Sequence, residues 1–207
     1  LDGRTALATG ASRWISGEAS RHDVQALRAR SSAILTGVGT VIADDPALTV
    51  RRSDLGDVLQ PARIVLDSGL RTPPAVRLIR QPGETRIFCT RAPPERRSAL
   101  EAAGALVEEV ADREGHPDLA AVLERLAELG CNELLVEAGP GVNGALLDAG
   151  LVDEIVLYLA PHVLGADGFG MFATKPLPEM AARPEFELTD LRRIGSDCRL
   201  TFARRER

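Results

Sequence analysis

A carboxylate followed by a glycine-rich turn is the first feature of this sequence that could do chemistry. The apolar run 134–136 ends at Glu137, and the segment GPGVNGA from Gly139 to Ala145 follows it. In α/β proteins, a strand that turns through glycines into a helix presents backbone N–H groups and the positive end of the helix dipole to a phosphate. We therefore expect a nucleotide or another phosphorylated ligand here, although the spacing GPGVNG also suits an ordinary turn.

Two arginines carry side chains that suit a phosphomonoester. Arg28 falls in a predicted helix and Arg51 follows an Asp-Asp-Pro turn, and a guanidinium binds two phosphate oxygens at once. Either arginine could equally be a solvated surface residue. Glu137 has the same alternative, a charge exposed to water at a strand end, but ligands of open α/β sheets bind at that edge.

Three further side chains lie where a cofactor could reach them. The Ser12 hydroxyl could bind phosphate, the Trp14 indole could cover a flat ring, and Asp44 could accept from a ribose hydroxyl. Their ordinary alternatives are a helix cap, a partly buried aromatic residue and a turn former.

The composition excludes several classes of protein. With 207 residues and 44% hydrophobic residues, the chain can bury a core, and no apolar run reaches the ~18 residues of a membrane span. A net charge of −5 and 3% aromatic residues argue against nucleic acid as a partner. Cys89, Cys131 and Cys198 lack CxxC spacing, so we expect all three in the core of a cytoplasmic protein. The histidines are scattered, and we expect no metal site.

The elements that must position these residues alternate along the chain. We expect strands at 4–9, 33–36, 63–67, 86–90, 106–110, 134–136 and 154–160. We expect helices at 17–30, 95–103 and 117–129, a short helix from Thr40 that Pro46 ends, and a helix from Ala145. Period-two alternation around residues 194–197 predicts a C-terminal antiparallel hairpin. The pattern favours a single α/β domain over 1–207, with a mixed, mostly parallel sheet flanked by helices.

Several motifs taken together resemble a known family. They are SRWIS (12–16), TGVGTVIADDPALTVR (36–51), RIVLDSGLRTP (63–73), and LLVEAGPGVNGALLDAGLVDEIVLYLAP (134–161) with the following HVLG. In order along nearly the whole chain, they look like the reductase domain of the bacterial riboflavin-biosynthesis deaminase/reductase family, RibD. The resemblance implies a dihydrofolate-reductase-like fold, and reduction by NADPH of 5-amino-6-(5-phosphoribosylamino)uracil. In that reaction the sugar ring opens and C1′ accepts the hydride.

The resemblance also implies roles for individual positions. It implies that five residues contact the substrate: Ser12, Arg28, Leu48, Arg51 and Glu137. Ser12 and the two arginines would bind the phosphate. Glu137, the expected catalytic residue, would lie at the ribosyl end. It implies NADPH contacts by Trp14, Thr40, Asp44, Ser68 and the segment Gly139, Pro140, Gly141, Val142, Asn143, Gly144 and Ala145. We take Ser68 and Arg71 as candidates for the pocket of the NADPH 2′-phosphate, because they follow a strand.

The sequence departs from the family in two ways. The family's domain begins with a strand that carries a lysine, and nothing before Leu1 supplies it; no zinc deaminase motif is present either. We therefore expect a reductase fragment or a stand-alone reductase, with a homodimer as the family's assembly and a deaminase domain as a possible upstream partner. Two rival functions stay open: reduction of the diaminopyrimidine before deamination, and a non-catalytic nucleotide-binding module.

Overall fold

Two compact units make up the chain, and the structure, a computed structural model, describes residues 1–205. One unit contains residues 25–139, and the other contains residues 1–24 and 140–205. The described helices are α1 (Glu18–Arg30), α2 (Val38–Asp44), α3 (Arg77–Arg80), α4 (Pro94–Ala102), α5 (Leu119–Glu128) and α6 (Pro140–Asp148). The described strands are β1 (Arg4–Ala6), β2 (Ala33–Gly37), β3 (Ala62–Leu66), β4 (Thr85–Cys89), β5 (Leu106–Glu109), β6 (Asp112–Arg113), β7 (His116–Pro117), β8 (Leu134–Val136), β9 (Glu154–Leu159), β10 (Phe169–Gly170), β11 (Phe186–Ile194) and β12 (Asp197–Arg204).

A parallel sheet forms the frame of the 25–139 unit. Its strands are hydrogen-bonded in the order β5-β4-β3-β2-β8, and every ladder is parallel. All residues of β2 and β4 are buried, which is typical of a parallel strand covered on both faces. The apolar core of the unit gathers side chains from β3, β4 and β5 and from α2, α3 and α4. The predicted α/β class is confirmed.

One buried cation belongs to the frame of this unit. The Arg63 side chain on β3 has no exposed surface, and its Nε donates to Thr85 Oγ1 at 3.0 Å. Its terminal nitrogens donate to the carbonyls of Gln81, Pro82 and Gly83. Burial lowers the pKa of Arg63 from its usual value. These bonds make it a structural anchor for the turn before β4, because a buried guanidinium must satisfy its donors within the protein.

An antiparallel sheet forms the frame of the other unit. Its order is β11-β12-β9, and β11 and β12 form the predicted C-terminal hairpin. The predicted strand at 154–160 is β9, and it pairs with the second strand of that hairpin. The hairpin is therefore confirmed, and its strands contain nine and eight residues.

Helix α6 begins earlier than the sequence suggested. We expected a glycine turn through Gly139–Ala145 with a helix from Ala145, but the helix already starts at Pro140. A proline at the first helical position explains this start, because its fixed φ suits a helix and its missing N–H is not needed there. The prediction of a turn over these residues was wrong, whereas the prediction of a strand leading into a helix was right.

Close packing requires a glycine at position 144. A Cβ built on Gly144 meets the carbonyl oxygen of Ala173 and lies 2.8 Å from the Ala173 nitrogen. Both atoms belong to the backbone, so the strain cannot be relieved by turning a side chain. The chain after β10 also donates from Ala173 N to Pro140 O at 2.9 Å, which fixes it along α6.

We expect Gly144→Ala to lower the free energy of unfolding by about 2 kcal/mol, because the added methyl overpacks a backbone contact. Gly141→Ala on the same helix is the matched control, since a Cβ added at Gly141 would meet nothing within 4 Å. Urea denaturation measures both variants. A loss in Gly144→Ala no larger than that in the control would contradict the close approach.

One further expectation needs correction, namely that all three cysteines lie in the core. Cys89 is buried, but Cys131 is only half-buried and Cys198 is exposed, because Cys198 points from the outward face of β12. Strand β8 is half-buried, because it lies at one end of the strand order. The pair β6–β7 was missed. In the described part of the chain, no helix is long and apolar enough to cross a membrane.

Candidate active site

An ion pair lies at the carboxyl end of β8. Glu137 directly follows β8, and its N–H extends the ladder by donating to Leu35 O at 2.9 Å. Arg28, near the end of α1, donates from Nε to Glu137 Oε1 and from Nη2 to Oε2, both at 2.6 Å. The side chains of Arg28 and Glu137 are 11% and 25% exposed. The carboxylate is therefore held in a fixed orientation and still reaches solvent.

The same arginine also fixes the segment that contains Leu48 and Arg51. Arg28 Nη1 donates to Thr49 O at 2.9 Å, so three of its five N–H groups are engaged within the protein. Leu48 is 3% exposed and has a φ of +46°, in the left-handed region. A leucine in that region is strained, and the surrounding hydrogen bonds hold it there.

Two amide side chains complete the support of this segment. Gln60 Oε1 accepts from Val50 N at 2.9 Å and Gln60 Nε2 donates to Val50 O at 3.1 Å, as a neighbouring strand would. Gln25 Oε1 accepts from Arg51 N at 2.8 Å. Arg51 is exposed, so its side chain reaches solvent while the hydrogen bond from its backbone N–H holds the main chain in place. Nothing in the local sequence marked Gln25 or Gln60, because both act through partners distant in the chain.

Two of the predicted cofactor residues, Thr40 on α2 and Gly139, lie next to each other. A Cβ built on Gly139 would lie 3.7 Å from the Thr40 hydroxyl oxygen, so these two predicted cofactor residues are neighbours. Asp44 ends α2 and is exposed. The neighbouring Asp45 adopts the left-handed cap that lets the chain leave the helix before Pro46.

Ser68 lies just beyond β3, the strand that pairs with β2 in the parallel sheet. Its hydroxyl oxygen is 3.4 Å from His116 Nδ1, and its carbonyl accepts from Thr90 N and Arg91 N. Arg71, the other candidate for the 2′-phosphate pocket, is exposed.

Ser12 and Trp14 belong to the unit that contains the chain termini. Ser12 is half-buried, and the Trp14 side chain is 72% exposed. The guanidinium of Arg21 on α1 lies 4.4 Å from the Trp14 ring centroid, a cation–π contact, and Nη1 of Arg21 donates to Ser16 O at 2.6 Å. One face of the indole is thus covered from within the chain.

Asp197 fixes the start of α1 in the same unit. Its Oδ2 accepts from Gly17 N at 2.7 Å and from Ser20 Oγ at 2.6 Å. Burial raises the pKa of Asp197, but hydrogen bonds from Ser20, Gly17 and Ser196 outweigh it, so the pKa is lowered from 3.8. A lowered folded-state pKa means that the carboxylate stabilises the fold above the unfolded value, and that this contribution is lost as the pH falls below it.

We expect Asp197→Asn to lower the free energy of unfolding at pH 7 by about 1.5 kcal/mol, because charge-assisted hydrogen bonds at the helix start are lost. The difference from the wild-type chain should shrink as the pH falls below 3.8, where the unfolded-state carboxyl is protonated. Urea denaturation at several pH values measures this difference. A difference that stays constant down to strongly acidic pH would contradict a role for the charge.

Comparison with known proteins identifies the family. The model of the RibD C-terminal domain matches residues 1–200. The riboflavin biosynthesis protein RibD of Escherichia coli (strain K12) is 44% identical over 95% of this chain and 55% of its own length. The 2,5-diamino-6-ribosylamino-4(3H)-pyrimidinone 5′-phosphate reductase of Methanothermobacter thermautotrophicus is 39% identical over 95% of this chain and 90% of its own length.

A solved structure agrees with these sequence relatives. Acinetobacter baumannii RibD, form 1, superposes with a TM-score of 0.87 at 35% identity, over 100% of this chain and 56% of that one. The chain thus spans about half the length of the RibD relatives it matches. Among the described residues, no group of three or more side chains could hold a metal ion. The family match covers nearly the whole chain. The chain belongs to the RibD C-terminal domain family.

Proposed function

We propose that this chain is the NADPH-dependent reductase of riboflavin biosynthesis that acts on 5-amino-6-(5-phosphoribosylamino)uracil. The observation that carries the proposal is the Glu137–Arg28 pair at the carboxyl end of β8, beside the fixed Leu48–Arg51 segment. That strand edge is where open α/β sheets bind ligands. Two relatives support the substrate class: one is named a riboflavin biosynthesis protein, and the other is named a reductase of a ribosylaminopyrimidinone 5′-phosphate.

Glu137 is the proposed catalytic residue, and its role follows from how it is held. Each of its oxygens accepts one hydrogen bond from Arg28, and a carboxylate oxygen has room for a second donor. We assign those remaining positions to the ribosyl nitrogen or hydroxyl groups of the opened sugar. Glu137 then orients the reacting C1′ region, and proximity of this kind accounts for much of the barrier lowering in such reactions.

The substrate phosphate is assigned to Arg51, Ser12 and the N–H groups that Arg28 leaves uncommitted. Arg51 is exposed and its backbone is fixed by Gln25, so its guanidinium can turn toward an anion from a rigid origin. Leu48, buried and held in its left-handed conformation, shapes the base of the same segment.

A nucleotide cofactor follows from membership in a reductase family, and we propose that it is NADPH. The residues present suit it: the Thr40 hydroxyl lies next to Gly139, and α6 begins at Pro140 with the backbone N–H groups of a helix start. Trp14, Asp44, Ser68 and the segment 139–145 complete the proposed contacts. When bound, this cofactor supplies the hydride, while the protein orients the substrate and excludes water.

The decisive experiment follows the loss of NADPH absorbance with two substrates supplied separately. Turnover of the phosphoribosylaminouracil supports the proposal, and faster turnover of the diaminopyrimidine phosphate would favour the alternative substrate. That alternative has specific support, because the Methanothermobacter relative carries the corresponding name and is matched over 90% of its length. Binding of NADPH without oxidation in the presence of either compound would support a non-catalytic nucleotide-binding module instead.

Trp14 provides an independent test of the cofactor. It is the only tryptophan in the sequence and is largely exposed, so a nicotinamide or adenine ring placed beside it should quench its fluorescence. We expect saturable quenching with NADPH and much weaker quenching with NADH. Equal responses to both would argue against a 2′-phosphate pocket, and no response to either would argue against Trp14 as a cofactor contact.

A homodimer is the proposed assembly, and the antiparallel sheet supports it. Cross-strand partners share a face, so Leu157, Leu200 and Leu191 lie together on one face with Ile155 and Phe202. Leu191 is 61% exposed on that face, whereas the opposite face meets α1 through Asp197 and Ser20. An apolar face turned outward is typical of a surface covered by a second copy.

Light scattering on the chain and on Leu191→Asp tests this assembly. We expect a dimer for the wild-type chain and a shift toward monomer for the variant. A wild-type monomer would overturn the assembly.

The same proposal includes a covalently linked deaminase domain upstream. It also includes a cytoplasmic location, because three free thiols suit a reducing compartment.

A further inference from the structure

Gln60 closes the base of the loop that begins at Arg51. Its amide makes two hydrogen bonds to a single residue, accepting from Val50 N at 2.9 Å and donating to Val50 O at 3.1 Å, across ten positions of chain. Gln60 is half-buried and lies two residues before β3, a strand in which four of the five residues are buried. The loop is therefore tied at its base to the parallel sheet.

Helix α1 holds the opposite side of the same backbone. Arg28 Nη1 donates to Thr49 O at 2.9 Å, and Gln25 Oε1 accepts from Arg51 N at 2.8 Å. Gln25 and Arg28 are three positions apart, so both leave the same face of the helix. In an extended chain, the N–H and C=O of one residue point to one side, while the flanking C=O and N–H point to the other. The backbone up to Arg51 is thus fixed from two sides.

The side chain that leaves this fixed backbone is that of Arg51. Arg51 is exposed, whereas Leu48 and Val50 before it are buried. The adjacent Arg52 donates to both carboxylate oxygens of Asp54, at 2.9 and 2.5 Å, so its guanidinium is already paired. An arginine that binds an anion loses conformational freedom, and a fixed backbone leaves only its side-chain torsions to be ordered. The affinity for a phosphate at Arg51 therefore depends on how firmly the main chain is held there.

We propose that Gln60 is a positioning residue for the substrate phosphate, because its closure of the loop base holds Arg51 where the guanidinium meets a phosphomonoester. This inference rests on the proposed function, which assigns the phosphate to Arg51, and it adds the residue that makes this contact tight. Gln60 acts through the main chain of Val50 and needs no contact with substrate or cofactor. Gln25 acts in the same way through one hydrogen bond instead of two.

Steady-state kinetics of Gln60→Met, with the pyrimidine phosphate that the wild-type chain turns over, test the proposal. Methionine has a similar length and lacks both amide groups. We expect KM and the inhibition constant of inorganic phosphate each to rise about tenfold, while kcat and the dissociation constant for NADPH stay within about twofold. A general loss of folded protein would instead lower kcat and leave KM unchanged.

Gln81→Met is the matched control. Gln81 also precedes a proline shortly before a strand of the same sheet, β4, and its backbone carbonyl accepts from Arg63 Nη2 at 3.1 Å. Because the contact of Gln81 with Arg63 uses the main chain, loss of its amide should leave KM, kcat and phosphate inhibition at their wild-type values.

The double variant Arg51→Gln/Gln60→Met shows whether the effect passes through Arg51. We expect Arg51→Gln alone to raise KM, and the added Gln60→Met to raise it by less than about twofold further, because both changes disrupt one unit. Gln25→Met releases only the N–H of Arg51 and should raise KM by a smaller factor than Gln60→Met. It carries the same test if Gln60→Met yields no folded protein.

The outcomes separate this inference from the proposed function. If the wild-type chain turns over the pyrimidine phosphate and the variants at Gln60 and Gln25 keep its KM, the positioning role is wrong while the function stands. A fall in kcat at constant KM, or additive effects in the double variant, would overturn it equally. If the wild-type chain turns over neither pyrimidine compound, the proposed function fails, and this inference fails with it.

Discussion

Replacing Glu137 with glutamine should lower turnover of the phosphoribosylaminouracil about a thousandfold, or roughly 4 kcal/mol of transition-state stabilisation. The glutamine has nearly the same shape, but its amide nitrogen must face a guanidinium donor, since Arg28 donates to both carboxylate oxygens. The side chain therefore loses both its charge and its orientation. Because the proposed cofactor contacts lie on other residues, the dissociation constant for NADPH should stay within about twofold.

Steady-state kinetics and NADPH titration on the same preparation measure both quantities. Glu133→Gln is a matched control, because Glu133 precedes the same strand and forms an exposed ion pair with Arg30, at 2.6 Å. This control removes an equal charge at the other end of β8 and should leave turnover unchanged. A Glu137→Gln variant that retains wild-type turnover would remove Glu137 from the mechanism.

The sequence predicted those helices and strands in which apolar residues follow a recognisable pattern within one segment. The run of β3 is short, rich in β-branched residues and closed by Ser68 and Gly69, which indicated a buried strand. The helical spacing of apolar residues predicted α5 within two residues. Strands β6 and β7 contain two residues each, so they have no period to detect. The start of α6 was missed because its glycines suggested a turn, although Pro140 was the available signal for a helix start.

In the candidate site too, features encoded in one segment could be predicted, whereas contacts between distant segments could not. The position of Glu137 at a strand end could be inferred, because a carboxylate follows an apolar run directly. Its pairing with Arg28 could not, since 109 residues separate the two and only the ladder between β2 and β8 brings their elements together. Gln60 and His116 were missed for the same reason, because their partners are backbone or side-chain atoms fixed by tertiary structure.

Arg28 should act mainly by holding Glu137, and its replacement tests this directly. We expect Arg28→Leu to lower the free energy of unfolding by about 3 kcal/mol, because it leaves the Glu137 carboxylate and the Thr49 carbonyl without their donor. The double variant Arg28→Leu/Glu137→Leu should lose only about 1 kcal/mol, since an apolar pair of similar volume replaces a matched ion pair. Urea denaturation of both single variants and the double variant gives the coupling energy.

The kinetic consequence distinguishes the two roles that Arg28 could play. Arg28→Lys keeps the positive charge but cannot donate to both carboxylate oxygens and to Thr49 O at once. If the arginine orients Glu137, kcat falls about a hundredfold and adding Glu137→Gln lowers it little further, because both changes disrupt one unit. If its main contribution is the phosphate contact rather than the orientation of Glu137, KM rises, kcat is retained and the two substitutions act additively. Arg30→Lys, two residues further along α1 in an exposed ion pair, should change neither constant.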